Sequence, residues 1–129
     1  MFDLFTPPPE TRPQPFTCDF HDDNPHVYEA FKKQIFKAIN AGKTRISHIH
    51  AMSVIRWEMW ITTEDDDGFK INNNAVAFYP RKFVLQFPEH ADKFDLRRSH
   101  YDTPFLEHLL ALDSLHLKSL IERIESHYE

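Results

Sequence analysis

The sequence predicts a mainly α protein: a compact helical domain with one short β-hairpin, a helix-turn-helix-like or winged-helix-like core, and a C-terminal helix or helical hairpin. Three observations carry this. Apolar residues recur at three- and four-residue spacing through most of the chain after residue 24, as one face of a helix requires. Capping residues stand before those runs, at Asn24-Pro25, Ser47, Asn72 to Asn74 and Thr103-Pro104. A single Asp-Gly step, Asp67-Gly68, separates two short β-prone segments.

Residues 1–23 hold Pro7, Pro8, Pro9, Pro13 and Pro15, whose fixed φ angles and missing amides block helix and strand alike, so this stretch is expected to be an extended arm. Its Phe2, Phe5, Phe16 and Phe20 either pack back on the domain or insert into a partner; packing is favoured, because large apolar groups tend to be buried. A helical core domain then spans 24–100, and a C-terminal helical segment spans 101–129.

The first helix is predicted from Asn24 and Pro25 to Ala41, with Gly42 as its stop and Val27, Phe31, Ile35, Ala38 and Ile39 as its buried stripe. Lys32, Lys33, Lys37 and Lys43 belong to a solvated face. Ser47 caps a second helix of about 12–14 residues ending near Met59, with Met52, Ile55 and Met59 facing inward and Arg56, Trp57 and Trp60 crowding its exit. Ile61-Thr62-Thr63 and Phe69-Lys70-Ile71 flank the acidic turn as the hairpin.

A third helix begins at the caps offered by Asn72, Asn73 and Asn74 and reaches Gln86 or Phe87, with Val76, Tyr79, Phe83 and Phe87 as its apolar line. Pro80 interrupts it, removing one backbone hydrogen bond unless it falls in the first turn. Pro88 ends this element, and residues 89–94 fit a short fourth helix. From Thr103-Pro104 onward, Leu106, Leu110, Asp113, Leu117, Leu120 and Ile124 alternate spacings of four and three. Either one helix runs from 104 to about 127, or Asp113-Ser114 breaks it into a helical hairpin. The extra breadth given by Leu109, Leu112 and Leu115 favours the break, and a homodimer through 104–127 is a further expectation of the seam.

With 129 residues and 41% hydrophobic content, one domain is the starting assumption. Twelve phenylalanines predict a core of large side chains, each burying ~150–250 Å². Cys18 is the only cysteine, which rules out an internal disulfide framework and suits a reducing compartment. The first residues lack a basic region followed by an apolar one, and no apolar run approaches the ~18–20 residues that span a bilayer, so a cytoplasmic location is expected. Net charge is −5, distributed unevenly: residues 1–24 and 101–129 are each acidic, whereas 25–100 carries twelve Lys/Arg against nine acids. Extensive phosphate contact would need a larger cationic excess.

No reaction is written in the side-chain spacing. His48 and His50 are two apart, pointing about 200° away from each other on a helix, and no His-x₃-His or Cys-x₂-Cys clamp exists for zinc. The cluster around Cys18, His21 and Asp22 sits in the proline-rich arm. Placing Gly68 at position six of a calcium loop puts Thr63 first and Asn74 last, where carboxylates are required. Ser99, His100 and Asp102 are triad residue types without triad order or a nucleophile elbow. Two glycines in the whole chain cannot form a phosphate-cradling loop. The expectation is therefore a protein that is not an enzyme and uses no cofactor and no metal.

What stands out is a recognition-type group: Lys70, Asn72, Asn73, Asn74, Arg81 and Lys82 about the third helix, with Arg56 on the helix before. Asn and Arg make bidentate bonds to base edges, and a helix N-terminus suits phosphate. The same residues also make a plain capping turn, with Arg56 paired to Glu58 or to the acidic loop.

Ile55-Arg56-Trp57-Glu58, then Asp67-Gly68-Phe69-Lys70-Ile71-Asn72-Asn73-Asn74, Tyr79-Pro80-Arg81, Phe87-Pro88-Glu89 and the stretch from Phe94 to Arg97 resemble a family of small uncharacterised phage and prophage proteins. The resemblance covers roughly residues 25–98 and departs from the family at Pro80, where alanine is usual. It implies a mobile-element origin and a compact helical fold, and no chemistry. Two functional expectations result. One is nucleic-acid binding through the Asn-capped third helix, with Asn72, Asn73, Asn74 and Arg81 gripping the ligand and Lys70 and Lys82 on phosphates. The other is a protein-binding inhibitor of a host or defence nucleoprotein complex, acting through acidic flanks on a basic partner in the host cytoplasm.

Overall fold

The computed structural model describes residues 16–63, 70–112 and 117–128. They form α1 (Asp19–Asp23), α2 (Pro25–Asn40), α3 (His48–Thr62), α4 (Asn73–Gln86), a 3₁₀ helix (Pro88–Lys93), α5 (Asp102–Leu112) and α6 (Lys118–Ser126). Among the described residues β structure is limited to one parallel bridge, Ile46 to Phe94, in which the Ile46 amide donates to the Lys93 carbonyl at 2.8 Å.

The helix ends are set locally. Pro25 opens α2, and at its far end Gly42 has φ +84. The Gly42 amide bonds the Ile39 carbonyl and the Lys43 amide bonds the Ala38 carbonyl, which is the Schellman pattern that satisfies otherwise orphaned carbonyls. Ser47 Oγ accepts from the His50 amide at 3.1 Å to start α3, and Asn72 Oδ1 accepts from the Asn74 amide at 2.7 Å to start α4.

α4 is the central helix, touching α2, α3, α5 and the 3₁₀ helix. It is therefore buried on several sides, at Ala75, Phe78, Tyr79, Pro80, Arg81, Phe83 and Val84. One core joins every element. Tyr28, Phe31, Tyr79, Phe83 and Phe94 fill its lower part, and Phe78, Tyr101 and Phe105 its upper part, with Phe16 seated 4.6 Å from the Phe78 ring and 5.9 Å from that of Phe105. These tilted and edge-on contacts add to the area each ring hides from water.

Several expectations change. Residues 16–23 are not an extended arm: Phe16 and Phe20 pack on the core, Cys18 is 4% exposed, and Asp19–Asp23 is helical. Phe2, Phe5 and the proline run lie outside the described residues. Among the described residues the winged-helix expectation finds no strand for its hairpin. Ile61 and Thr62, taken as β-prone, form the last turn of α3, where Thr62 Oγ1 donates to the Glu58 carbonyl at 3.0 Å and Thr63 Oγ1 to the Met59 carbonyl at 2.6 Å. These hydroxyls add a second bond to carbonyls of the last turn, the Thr63 amide also bonding the Met59 carbonyl at 3.1 Å, and β propensity yields to that context. The acidic turn itself, residues 64–69, lies outside the described residues. α4 continues through Pro80; the Ala77 carbonyl on that turn is taken by the Arg81 guanidinium at 2.7 Å.

At the C-terminal end two helices stand in contact with each other, α5 and α6, and residues 113–116 between them are outside the described residues. Leu117, Leu120 and Ile124 of the expected dimer seam are buried in the chain's own core, as is Leu109, leaving Leu110 of the seam, and Leu112 outside it, at the surface. No helix among the described residues is long and apolar enough to cross a membrane.

Candidate functional site

The seven residues expected to form a recognition surface do not come together as one. Asn72, Asn73 and Asn74 are exposed at the start of α4, with Lys70 exposed just before them. Arg56 is half-buried on α3 and reaches this turn, its Nη2 3.4 Å from the Ile71 carbonyl. Lys82 faces elsewhere, with Nζ 5.3 Å from the centre of the Tyr28 ring on α2.

Arg81 is the main correction. It is 2% exposed, inside the core, and cannot grip a ligand at the surface. Its Nη2 donates to Asp102 Oδ1 at 3.1 Å and to the Arg97 carbonyl at 2.7 Å, and its Nη1 to the Ala77 carbonyl. Burial lowers its pKa from the usual arginine value, and Asp102 opposes that shift through charge and hydrogen bond. Asp102 is in turn held by the Ser99 amide at 3.0 Å and the Tyr128 hydroxyl. The Ser99 and Asp102 of the apparent triad are thus parts of a structural clasp.

A different surface stands out on α3. Trp57 is 61% exposed and Trp60 50%, and their ring centres are 5.2 Å apart. Ile61 and, about three turns back, Ile49 are exposed on the same helix. Residues 49, 53, 57 and 60 follow helical spacing, so the two indoles and Ile49 lie on one outer face, opposite the buried Met52 and Ile55. Ser53, Arg56, Trp57 and Trp60 bound a shallow depression of about 360 Å³. The guanidinium of Arg56 joins this face to the exposed Lys70-to-Asn74 turn through its bond to Ile71.

Sequence periodicity does not single this face out, because α3 carries apolar residues on every side: Ile49, Met52, Val54, Ile55, Trp57, Met59, Trp60 and Ile61. The stripe expected to face inward, Met52, Ile55 and Met59, does so, with Met52 and Ile55 buried, but periodicity assigns no role to the apolar residues left outside it. The available signal was the surplus, since a two-sided apolar helix at the edge of a domain buries one side and leaves the other for something else. Among the described residues no three His, Cys, Asp or Glu side chains converge as a metal site would require. Compared with protein-family models, with curated proteins and with solved structures, the chain matches none of them.

Proposed function

We propose that this protein is a binding module with no reaction of its own, which docks a basic protein partner on the Trp57–Trp60 face of α3. The observation that carries this is the pair of adjacent indoles left half or more exposed on a helix whose other side is buried. Trp and Arg are the residue types that most often dominate binding energy at protein interfaces, and a contiguous apolar patch is uncommon on a surface that stays free.

Charge selects the partner's class. Glu58 lies between the two tryptophans in sequence, and Glu64, Asp65, Asp66 and Asp67 follow Trp60 within seven residues, against only Arg56 and Lys70. An apolar patch followed so closely in sequence by acidic residues favours a cationic protein surface over a polyanion. The acidic flanks 1–24 and 101–129 act in the same direction. In the phage setting that the family resemblance implies, such a partner would be a basic component of a host nucleoprotein complex in the cytoplasm.

The second reading is nucleic-acid binding through the start of α4. It retains Lys70, Asn72, Asn73, Asn74 and Arg56, and gains two indoles on which unpaired bases could stack, but it loses Arg81 to the core. A pull-down from host lysate, run with wild type and with the Trp57→Ala/Trp60→Ala variant, with and without nuclease, separates the two. Docking of a basic protein predicts a captured species of high isoelectric point that survives nuclease and disappears with the double variant. Capture abolished by nuclease would replace this reading with the second, and equal capture by the double variant would remove the face from both.

A further inference from the structure

Between the start of α3, the Ile46–Phe94 bridge and α6 lies a cleft of about 500 Å³, within the range of small-molecule sites. Arg45, Lys93, Arg97 and Arg123 line it, converging from the turn before α3, the end of the 3₁₀ helix, the stretch after the bridge, and α6. We infer that this cleft is a binding site for a small phosphate-bearing anion.

The cations are largely uncommitted. Asp92 and Asp95 also line the cleft, and Asp92 lies 3.9 Å from Lys93 Nζ. Among the described residues, however, no acid comes within 4.0 Å of Arg45, Arg97 or Arg123. Arg123 Nη1 makes one long bond of 3.4 Å to the Phe94 carbonyl, and its Nε is buried with no acceptor. A buried guanidinium nitrogen without an acceptor is costly, and an oxyanion in the cleft would supply one.

The backbone adds donors. Ser47 gives its hydroxyl oxygen to the His50 amide, so the amides of His48 and Ile49 are the first-turn donors left over at a 15-residue helix whose positive end opens on the same space. His48, also on the lining, has its pKa lowered to about 4, first by burial and then by Arg81 and Arg97, with Asp95 opposing. Four cations against two acids line the cleft, and the imidazole is neutral at physiological pH and able to hydrogen-bond. Asp92 and Asp95 favour a compact ligand, because a long phosphate backbone crossing the cleft would run against them.

The cleft meets the outer face of α3 only at Ile49 and shares no residue with the depression beside Trp57 and Trp60, so its test does not depend on docking there. Calorimetric titration of the full chain with pyrophosphate and with adenosine monophosphate, at low ionic strength and neutral pH, is expected to show saturable binding at one site. Arg45 and Arg97 are exposed, so Arg45→Gln and Arg97→Gln keep the fold. Each is expected to weaken binding by about tenfold, as loss of a charged hydrogen bond does, with Trp57→Ala unchanged. Tighter binding of the monophosphate would extend the ligand to the group its phosphate carries. Absence of binding to both probes, full affinity in the Arg45→Gln/Arg97→Gln variant, or binding confined to a single-stranded oligonucleotide that neither probe displaces would overturn the inference.

Discussion

Arg81 and Asp102 form an ion pair closed off from solvent on both sides, Nη2 to Oδ1 at 3.1 Å with side chains 2% and 3% exposed. Four further contacts complete it: the Ala77 and Arg97 carbonyls on the guanidinium, the Ser99 amide and the Tyr128 hydroxyl on the carboxylate. The pair clamps the central helix α4 to α5 across 21 residues of chain.

Removing one partner strands the other's charge in the core. Asp102→Ala is expected to cost about 3–5 kcal/mol in urea unfolding, and Arg81→Ala a similar amount. Replacing both together, Arg81→Ala with Asp102→Ala, should cost less than the two single changes added. Additive losses in that double-mutant cycle would show that the two groups act separately.

Trp57 and Trp60 are the only tryptophans in the chain, and both stand in solvent. Intrinsic fluorescence is thus a direct reporter of the proposed docking face. Adding the partner should shift emission to the blue as the indoles leave water. Trp57→Ala should lose that change with stability altered by no more than about 0.5 kcal/mol, as for a surface substitution. A large loss of stability in this variant would mean the ring supports the fold instead.

Acid should weaken the protein before its carboxylates titrate. Unfolded His48 takes up a proton near 6.5 and folded His48 near 4, so between those values the unfolded chain binds more protons. Stability from this group is complete above pH 6.5 and declines as pH falls towards 4. His21, whose pKa burial also lowers, contributes in the same direction. Urea midpoints measured across this window should fall with pH, and His48→Gln should flatten the decline. An unchanged slope in His48→Gln would assign it to other groups.

Gly42 ends α2 at φ +84, in the left-handed region that a side chain disfavours, although open space surrounds the position where a Cβ would stand. Gly42→Ala is therefore a test of backbone strain without steric clash. It should destabilise by about 1 kcal/mol. A neutral result would show that the α2–α3 turn relaxes to another conformation.

What the sequence made legible was local. Ser47, Asn72 and Gly42 mark helix ends through bonds that reach at most a few residues, and Pro25 opens α2 without a side-chain cap from Asn24, whose side-chain amide donates to the Phe20 carbonyl; α2, α3 and α4 begin where expected. Thr62 shows the limit: its β-prone side chain belongs to a helix because hydroxyl bonds and packing outweigh propensity. Arg81 looked like a surface cation because its partner, Asp102, lies on another helix. The cleft was invisible for the same reason, since Arg45, Arg97 and Arg123 meet only after three distant segments pack. The inward stripe of α3 was legible in Met52 and Ile55, but periodicity does not say that Trp57 and Trp60, outside that stripe, stand open to solvent with no other element over them.

Cys18 is the sole thiol of the chain and lies under the short α1, buried beside the Tyr101 and Phe16 environment that anchors residues 16–23. A thiol-reactive dye can reach it only when that segment lifts away, so the labelling rate in native buffer counts openings of the N-terminal flap without any engineered probe. Phe16→Ala, which removes a ring packed 4.6 Å from that of Phe78, should accelerate labelling well before global unfolding does, turning the lone sulfur into a clock for the lifting of residues 16–23.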